Sequence, residues 1–388
     1  MEPTKLHAYC IDKIDNLHIY GRTGRDESGG NSALALFWTG SGISVDFTAG
    51  ELWAELEGGY SEYECWVSVW INGAPLSRFI LQKGRRWYCL VRGLNQNVSH
   101  HIAILKETQA MSGDPEHLFL VHRLGVPSTQ DNGRVFVPQK KKDLKIEFVG
   151  DSITTGEGLA GCVLEMDWIS GWMSLRDNYA VLTSLALNAD FRILSQSGWG
   201  VVTGWDNDRN SSLPKHYSKI CGLAPGKKNE DIGAQDENDF SKWQPDFIVV
   251  NLGTNDWGAF NNPAKTDPET GGEWKMHLDE NGEPSVQDLS FFKTGISNFI
   301  ADLRAKNPRA EIIWAYGMCS FDLGEHIKSV VDFMGEKDLS LHFIKLPSMA
   351  EEKEGEFGSR QHPGPGTHRR AASLIVEEIK RIAAEKGA

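Results

Sequence analysis

The sequence predicts two architectures in one chain of 388 residues. Residues 1–130 read as an antiparallel β-sandwich of jelly-roll type. Residues 143–388 read as a three-layer α/β/α domain built on a parallel sheet, and a linker at 131–142 joins the two. Three observations predict this. Short apolar runs separated by glycine turns fill the first part, with no helical period of any length. Strands and helices alternate in the second part. Between them Pro127, Pro138 and Gln139-Lys-Lys-Lys142 break the pattern.

In the first part the strand runs are Leu34–Trp38, Ile43–Phe47, Leu52–Leu56, Trp66–Ile71, Phe79–Leu81, Trp87–Val91 and Ile102–Leu105. Trp66-Val-Ser-Val-Trp-Ile alternates with period two, and Asn72-Gly73 after it is a strong hairpin signal. Many short strands at this spacing make a sandwich or jelly roll.

In the second part Leu144–Val149 is a strand ending at Gly150. A helix over Tyr179–Leu187 follows the caps Asp177-Asn178. Phe191–Ser195 is a strand, and Phe247–Leu252 is a strand read as apolar almost throughout, as expected where helices cover both sheet faces. A helix over Phe291–Lys306 stops at Asn307-Pro308. Strand Ile312–Tyr316, helix Ile327–Met334, strand Leu341–Leu346 and helix Ala371–Ala384 complete the pattern. Two polar stretches, Asp206–Asp239 and Gly258–Pro284, interrupt it. Loops of that length are expected to be lids or disordered.

Composition narrows the function. With 40 Lys and Arg against 53 Asp and Glu, the net charge is −13. That argues against nucleic acid or an anionic membrane as partner. Met1–Tyr20 has no apolar core, so no signal peptide is read, and no run of 18 apolar residues exists. The six cysteines are scattered, without Cys-x-x-Cys pairs. Free thiols in a reducing cytoplasm are expected. No His/Cys/Asp cluster has metal-ligand spacing, so no metal or other cofactor is expected. The 13 tryptophans exceed what filling a core requires, and an indole face matches the C–H face of a pyranose.

Four places carry chemistry: Gly150-Asp-Ser-Ile-Thr154, Ser195-Gln-Ser-Gly-Trp-Gly200, Asn251-Leu-Gly-Thr-Asn-Asp256 and His362-Pro363. The first three each follow a parallel strand, so they should meet along one sheet edge, where ligands bind in open α/β sheets. A serine hydroxyl needs a base to become a nucleophile, and His362 can serve Ser152 in that way. A tetrahedral intermediate needs preorganised donors. The backbone N–H groups of Ser152 and Gly198 and the side-chain amide of Asn255 can supply them. Asp151 and Asp256 are read as structural hydrogen-bonders, and His326, His342 and His368 as surface or cap histidines. Trp66, Trp70 and Trp87 are assigned to the sandwich core. Trp199, Trp257 and Trp274 adjoin the site blocks and are candidate sugar contacts.

Gly-Asp-Ser, the isolated Gly198, Gly-x-Asn-Asp and the late His-Pro together resemble the four blocks of the SGNH, or GDSL-type, hydrolases, over residues 144–388. The resemblance implies a flavodoxin-like catalytic domain. The whole chain resembles carbohydrate esterase family two, in which a jelly roll precedes such a domain and O-acetyl groups are removed from plant polysaccharides. It implies that Ser152 is the nucleophile, His362 the base, and Gly198 and Asn255 oxyanion-hole residues. Two positions depart from the pattern. Ser359 stands where an Asp usually precedes the His by three residues, so a Ser–His dyad is expected, with a main-chain carbonyl or neutral side chain orienting the imidazole. Glu157 stands where an aromatic is common. The expected function is cytoplasmic deacetylation of acetylated oligosaccharides. The rivals are an SGNH esterase of another substrate class, such as a lipid, and a non-catalytic carbohydrate-binding protein.

Overall fold

The computed structural model describes residues 5–351 and 356–387, apart from Asn31, Asn132 and Pro268. The chain divides into two compact units. The first comprises residues 1–141, 169–171 and 219–238, and the second comprises 142–168, 172–218 and 239–388.

The first unit is a sandwich of two six-stranded antiparallel sheets. One sheet runs Thr23–Asp26, Ala33–Leu36, Leu118–Pro127, Glu51–Gly59, Gly84–Arg92, with Leu6–Cys10 also paired to Leu118–Pro127. The other runs Phe136–Val137, Gly42–Phe47, His100–Lys106, Trp66–Ile71, Ala74–Ile80, with His18–Tyr20 also paired to Gly42–Phe47. Alternate residues of both sheets, among them Val45, Phe47, Leu52, Leu56, Val67, Val69, Ile102, Ile104 and Phe119, close one core. The Trp66–Ile71/Ala74–Ile80 hairpin turns through Asn72 and Gly73, both at positive φ (50° and 83°), as a two-residue hairpin loop requires.

Two features differ from the expected layout. Phe136 and Val137, inside the anticipated linker, pair with Phe47 and Asp46 and belong to the sandwich. Half of the first polar insertion also belongs to it. Lys219–Asn238 contains a short helix, Lys227–Asp231, and is pinned by Arg25 N–H to the Ile232 carbonyl (3.1 Å) and by the Trp38 indole N–H to the Ile220 carbonyl (2.7 Å). A polar stretch without periodicity is thus held by its own main-chain carbonyls rather than left as a lid.

The second unit is built on a five-stranded parallel sheet in the order Asp190–Ser195, Lys145–Gly150, Phe247–Asn251, Glu311–Tyr316, Leu341–Lys345. Phe247–Asn251 and Glu311–Tyr316 are buried at every position, so helices cover both faces of the sheet centre. Tyr179–Ala186 packs with Pro365–Gly387, and Val286–Lys306 packs with Gly324–Gly335. Asn178 caps its helix by accepting from Ala180 N–H at 2.8 Å. Val286–Lys306 starts five residues earlier than apolar periodicity indicates, because Ser285 accepts from Asp288 N–H and sets the start there. The last helix likewise starts earlier, at Pro365, whose fixed φ suits a first turn. Gly258–Pro284 holds a small hairpin, Lys265–Thr266 with Glu273–Trp274. Among the described residues no helix is long and apolar enough to cross a membrane.

Candidate active site

The register of the parallel sheet determines what meets at its edge. Gly150 lies opposite Ser195 on one side and Asn251 on the other. Three loops therefore leave the sheet at one level, carrying Ser152, Gly198 and Asn255. Ser152 opens a single helical turn, Ser152–Thr155, whose cap is Asp151: its carboxylate accepts from Ile153 N–H at 3.0 Å.

His362 arrives from the other end of the sequence, just before the last helix. Its Nε2 stands 2.9 Å from Ser152 Oγ. Its Nδ1 stands 2.9 Å from the main-chain carbonyl oxygen of Arg360. With that carbonyl as acceptor, the ring proton sits on Nδ1 and Nε2 is free to take the serine proton. Ser359 does not face the imidazole. Its hydroxyl donates to the Ala160 carbonyl at 3.0 Å. Gly158 allows this approach: a Cβ there would come within 2.6 Å of His362 Cβ and 2.7 Å of the Ser359 carbonyl oxygen.

Gly198 sits at φ 79°, and its carbonyl accepts from Trp205 N–H at 3.1 Å, which turns the loop back on itself. The loop is held from below by Asp256, whose two oxygens accept from Val201 and Val202 N–H at 2.8 and 2.9 Å. The Asn255 side-chain amide donates to the Trp199 carbonyl at 2.8 Å and to Asp151 at 3.3 Å. Burial pushes the Asp151 carboxyl up to about 7 and the Asp256 carboxyl up to about 6, despite the backbone donors that work in the opposite direction.

A cavity of about 310 Å³ opens over these groups, lined by Ser152, Glu157, Trp168, Ser197, Gly198, Trp205, Asn255, Arg360 and His362. The four residues singled out for chemistry all lie on it. The three tryptophans singled out for sugar contact do not. Trp199 contributes only its carbonyl to Asn255 and packs its ring on His216. Trp257 packs against Phe260, and Trp274 against Phe291 and the Arg209 guanidinium. Trp168 and Trp205 line the cavity instead, and Trp205 is 51% exposed. For Trp205 the only sequence signal is Gly204 before it, and for Trp168 there is none.

His368 is a cap and not a surface histidine: it takes up the N–H of Tyr179, the first residue of the helix Tyr179–Ala186. It is fully buried, its Nδ1 accepts from Tyr179 N–H at 3.1 Å, and burial pushes its pKa down to about 3, so it is neutral. His342 pairs with Glu311 at 2.9 Å. Among the described residues no three His, Cys, Asp or Glu side chains are grouped to hold a metal ion.

Comparisons with known proteins identify the family. A curated relative, the cellulase/esterase CelE of Acetivibrio thermocellus, is 26% identical over 349 residues. The match covers 88% of this chain but only 37% of CelE's own length. An acetylxylan esterase/glucomannan deacetylase of Cellvibrio japonicus is 22% identical over 95% of this chain and 89% of its own. Among solved structures, an acetyl xylan esterase from the rumen bacterium Butyrivibrio proteoclasticus superposes with a TM-score of 0.91 at 38% identity, covering 98% of this chain and 99% of that one. A family two carbohydrate esterase from Clostridium thermocellum, solved with cellohexaose, has the same fold, with a TM-score of 0.76 at 24% identity over 95% and 99% of the two chains. Residues 148–387 match the GDSL-like Lipase/Acylhydrolase family, so the chain belongs to that family and is a carboxylic ester hydrolase.

Proposed function

We propose that this protein removes O-acetyl groups from acetylated plant-derived oligosaccharides, using a Ser152–His362 dyad. The observation that carries the reading is the 2.9 Å contact between His362 Nε2 and Ser152 Oγ, with the opposite ring nitrogen held by a carbonyl.

The steps follow from the geometry. Ser152 Oγ attacks the acetyl carbonyl carbon while its proton moves to His362 Nε2. The oxygen that becomes negative lies among the N–H groups of Ser152 and Gly198 and the Asn255 amide. For Asn255, the 3.3 Å bond to Asp151 is the weaker of its two and is the one an oxyanion replaces. Collapse expels the sugar oxygen, which takes the proton from the imidazolium. Water, deprotonated by the same Nε2, then attacks the acetyl-serine and releases acetate. Throughout, the Arg360 carbonyl accepts the Nδ1–H and stabilises the cation as a dipole rather than as a full charge. Trp168 and Trp205, which line the cavity, are the indoles available to a sugar ring.

Acetylxylan esterases that match over nearly the full chain length support the acetyl-sugar substrate. The six free thiols support a reducing compartment, and with it short oligosaccharides as the substrate form. One observation favours a second reading, an esterase for longer acyl groups. The loop leading to Trp168 exposes Leu164 (90%), Val163 and Met166 (both 55%). Mass spectrometry of acetylated xylo- and manno-oligosaccharides before and after treatment tests the proposal. Losses of 42 Da per acetyl group support it (the mass difference between an acetyl group and a hydrogen). No loss, together with faster turnover of p-nitrophenyl octanoate than of the acetate, supports the second reading.

A further inference from the structure

The turn that supplies the carbonyl to His362 is conformationally unfavourable. Arg360 (φ 53°, ψ 35°) and Gln361 (φ 57°) sit consecutively in the left-handed region, which residues with a Cβ avoid. Neither is glycine, asparagine or aspartate, the residues that tolerate it best. Such a turn persists only where its surroundings hold it, and backbone outliers of this kind concentrate at active sites.

The holding contacts can be traced. Ser359 N–H donates to the Gly158 carbonyl at 3.0 Å, and Arg360 N–H to the Glu165 carbonyl at 2.7 Å. These fix the backbone on the side before the turn. The Arg360 side chain is ion-paired with Glu157: Nη1 stands 3.3 Å from Glu157 Oε1, in a charge contact without hydrogen-bond geometry. Glu157 is itself 3% exposed, and its N–H donates to the Ser152 carbonyl at 3.0 Å. The same Oε1 stands 3.9 Å from His362 Nε2. One buried carboxylate therefore ties the turn bearing the serine to the turn bearing the histidine.

We propose that Glu157 is a positioning residue, and that its ion pair with Arg360 takes over the task of the absent acid. An acid in a triad would hold the imidazole directly. Here Glu157 holds the Arg360 side chain, the side chain holds a left-handed backbone, and that backbone's carbonyl holds Nδ1. The proposal rests on the dyad reading of Ser152 and His362. It explains why an acidic residue is buried at position 157, beside the only cation that lines this cavity among the described residues. Without a cation opposite, a carboxylate this buried would be costly.

The test uses the full-length protein and the variants Glu157→Gln, Arg360→Met, Arg360→Lys and the double variant Glu157→Gln/Arg360→Met. Two rates are measured for each: turnover of p-nitrophenyl acetate, and covalent labelling of Ser152 by a fluorophosphonate, which needs the serine and its base but no sugar site. Each single charge removal should lower kcat and the labelling rate by ~10–10²-fold, with KM within about twofold, because misplacing a base by a fraction of an ångström costs on that order. The double variant should be no worse than the more damaged single variant, since the two groups act as one unit. Arg360→Lys should retain more activity than Arg360→Met.

Single effects that multiply in the double variant would overturn the proposal, as would a change confined to KM, or labelling rates equal to wild type. If Glu157→Gln lacks a cooperative melting transition, the contrast between Arg360→Lys and Arg360→Met decides, because neither alters the buried carboxylate. A wild-type protein that is labelled but releases no acetate from oligosaccharides would refute the deacetylase reading and leave the labelling comparison to judge the clamp.

Discussion

Arg360 holds His362 by its main chain, not by its side chain: the carbonyl oxygen of one lies 2.9 Å from Nδ1 of the other. The position from which a carboxylate would act is thereby filled. Ser359, three residues before the histidine, is fully buried and bonded elsewhere.

Putting back an acid at 359 should therefore not help. Ser359→Asp should leave kcat on p-nitrophenyl acetate no more than about threefold above wild type. It should also lower stability by roughly 1–3 kcal/mol or more, because a carboxylate is buried where the hydroxyl now donates to the Ala160 carbonyl. Ser359→Ala should stay within about tenfold of wild-type kcat. Steady-state kinetics and thermal melts of the two variants check this, and a gain of ~10²-fold in Ser359→Asp would show that a carboxylate can reach Nδ1 after all.

Asn255 is the side-chain donor of the proposed oxyanion hole. Asn255→Ala should lower kcat by ~10²–10³ with little change in KM. If only KM changes, the amide binds substrate rather than the developing charge.

Trp205 and Trp168 line the cavity, and Trp205 is the half-exposed one, beside Gly198. Trp205→Ala should raise KM for acetylated xylo-oligosaccharides by roughly tenfold, the loss expected for an exposed stacking platform worth about 1.4 kcal/mol. KM for p-nitrophenyl acetate, which has no sugar, should change by less than about threefold. Equal effects on both substrates would place Trp205 in the acyl site instead.

Stability should depend on pH through Asp151. Burial raises its pKa to about 7, above its unfolded value, so the folded state holds a proton that the unfolded state releases from about pH 4 upward. The stabilisation is complete below the unfolded pKa and is lost as pH rises through about 7. Asp256, raised to about 6, acts in the same direction. Between pH 4.5 and 8 the wild type should therefore lose on the order of 3 kcal/mol more than Asp151→Asn, which has no proton to lose. Denaturant melts at the two pH values measure the difference, and parallel pH profiles for the two proteins would contradict the assignment.

Much of this site was legible in the sequence, for a physical reason. A strand covered on both faces is rich in apolar residues, so the strands leading to Ser152, Gly198 and Asn255 stand out even with Glu147 and Arg192 among them, and the loop after each strand must lie at the sheet edge. The imidazole needed only a place before the last helix. The features that were not legible depend on contacts between distant residues. Leu118–Pro127, a central sandwich strand, carries His122 and Arg123 inward of its ends, and these pair with Glu57 and Glu55 on the neighbouring strand. Lys219–Asn238 has no period because its hold on the sandwich comes from main-chain carbonyls and from scattered polar side chains, such as Asn229 on the Pro115 and His117 carbonyls and Lys228 on Asp26. The cavity tryptophans are set by loop paths, as Trp205 N–H on the Gly198 carbonyl illustrates. Arg360 was invisible for a different reason: its contribution is a carbonyl oxygen, which every residue has.

The central claim is that Ser152 attacks the ester with His362 as its base, and the turnover of Ser152→Ala tests it most directly. The account predicts that kcat on p-nitrophenyl acetate falls by at least ~10⁴ while the melting temperature stays near that of the wild type. A folded Ser152→Ala variant with near-wild-type kcat would contradict it.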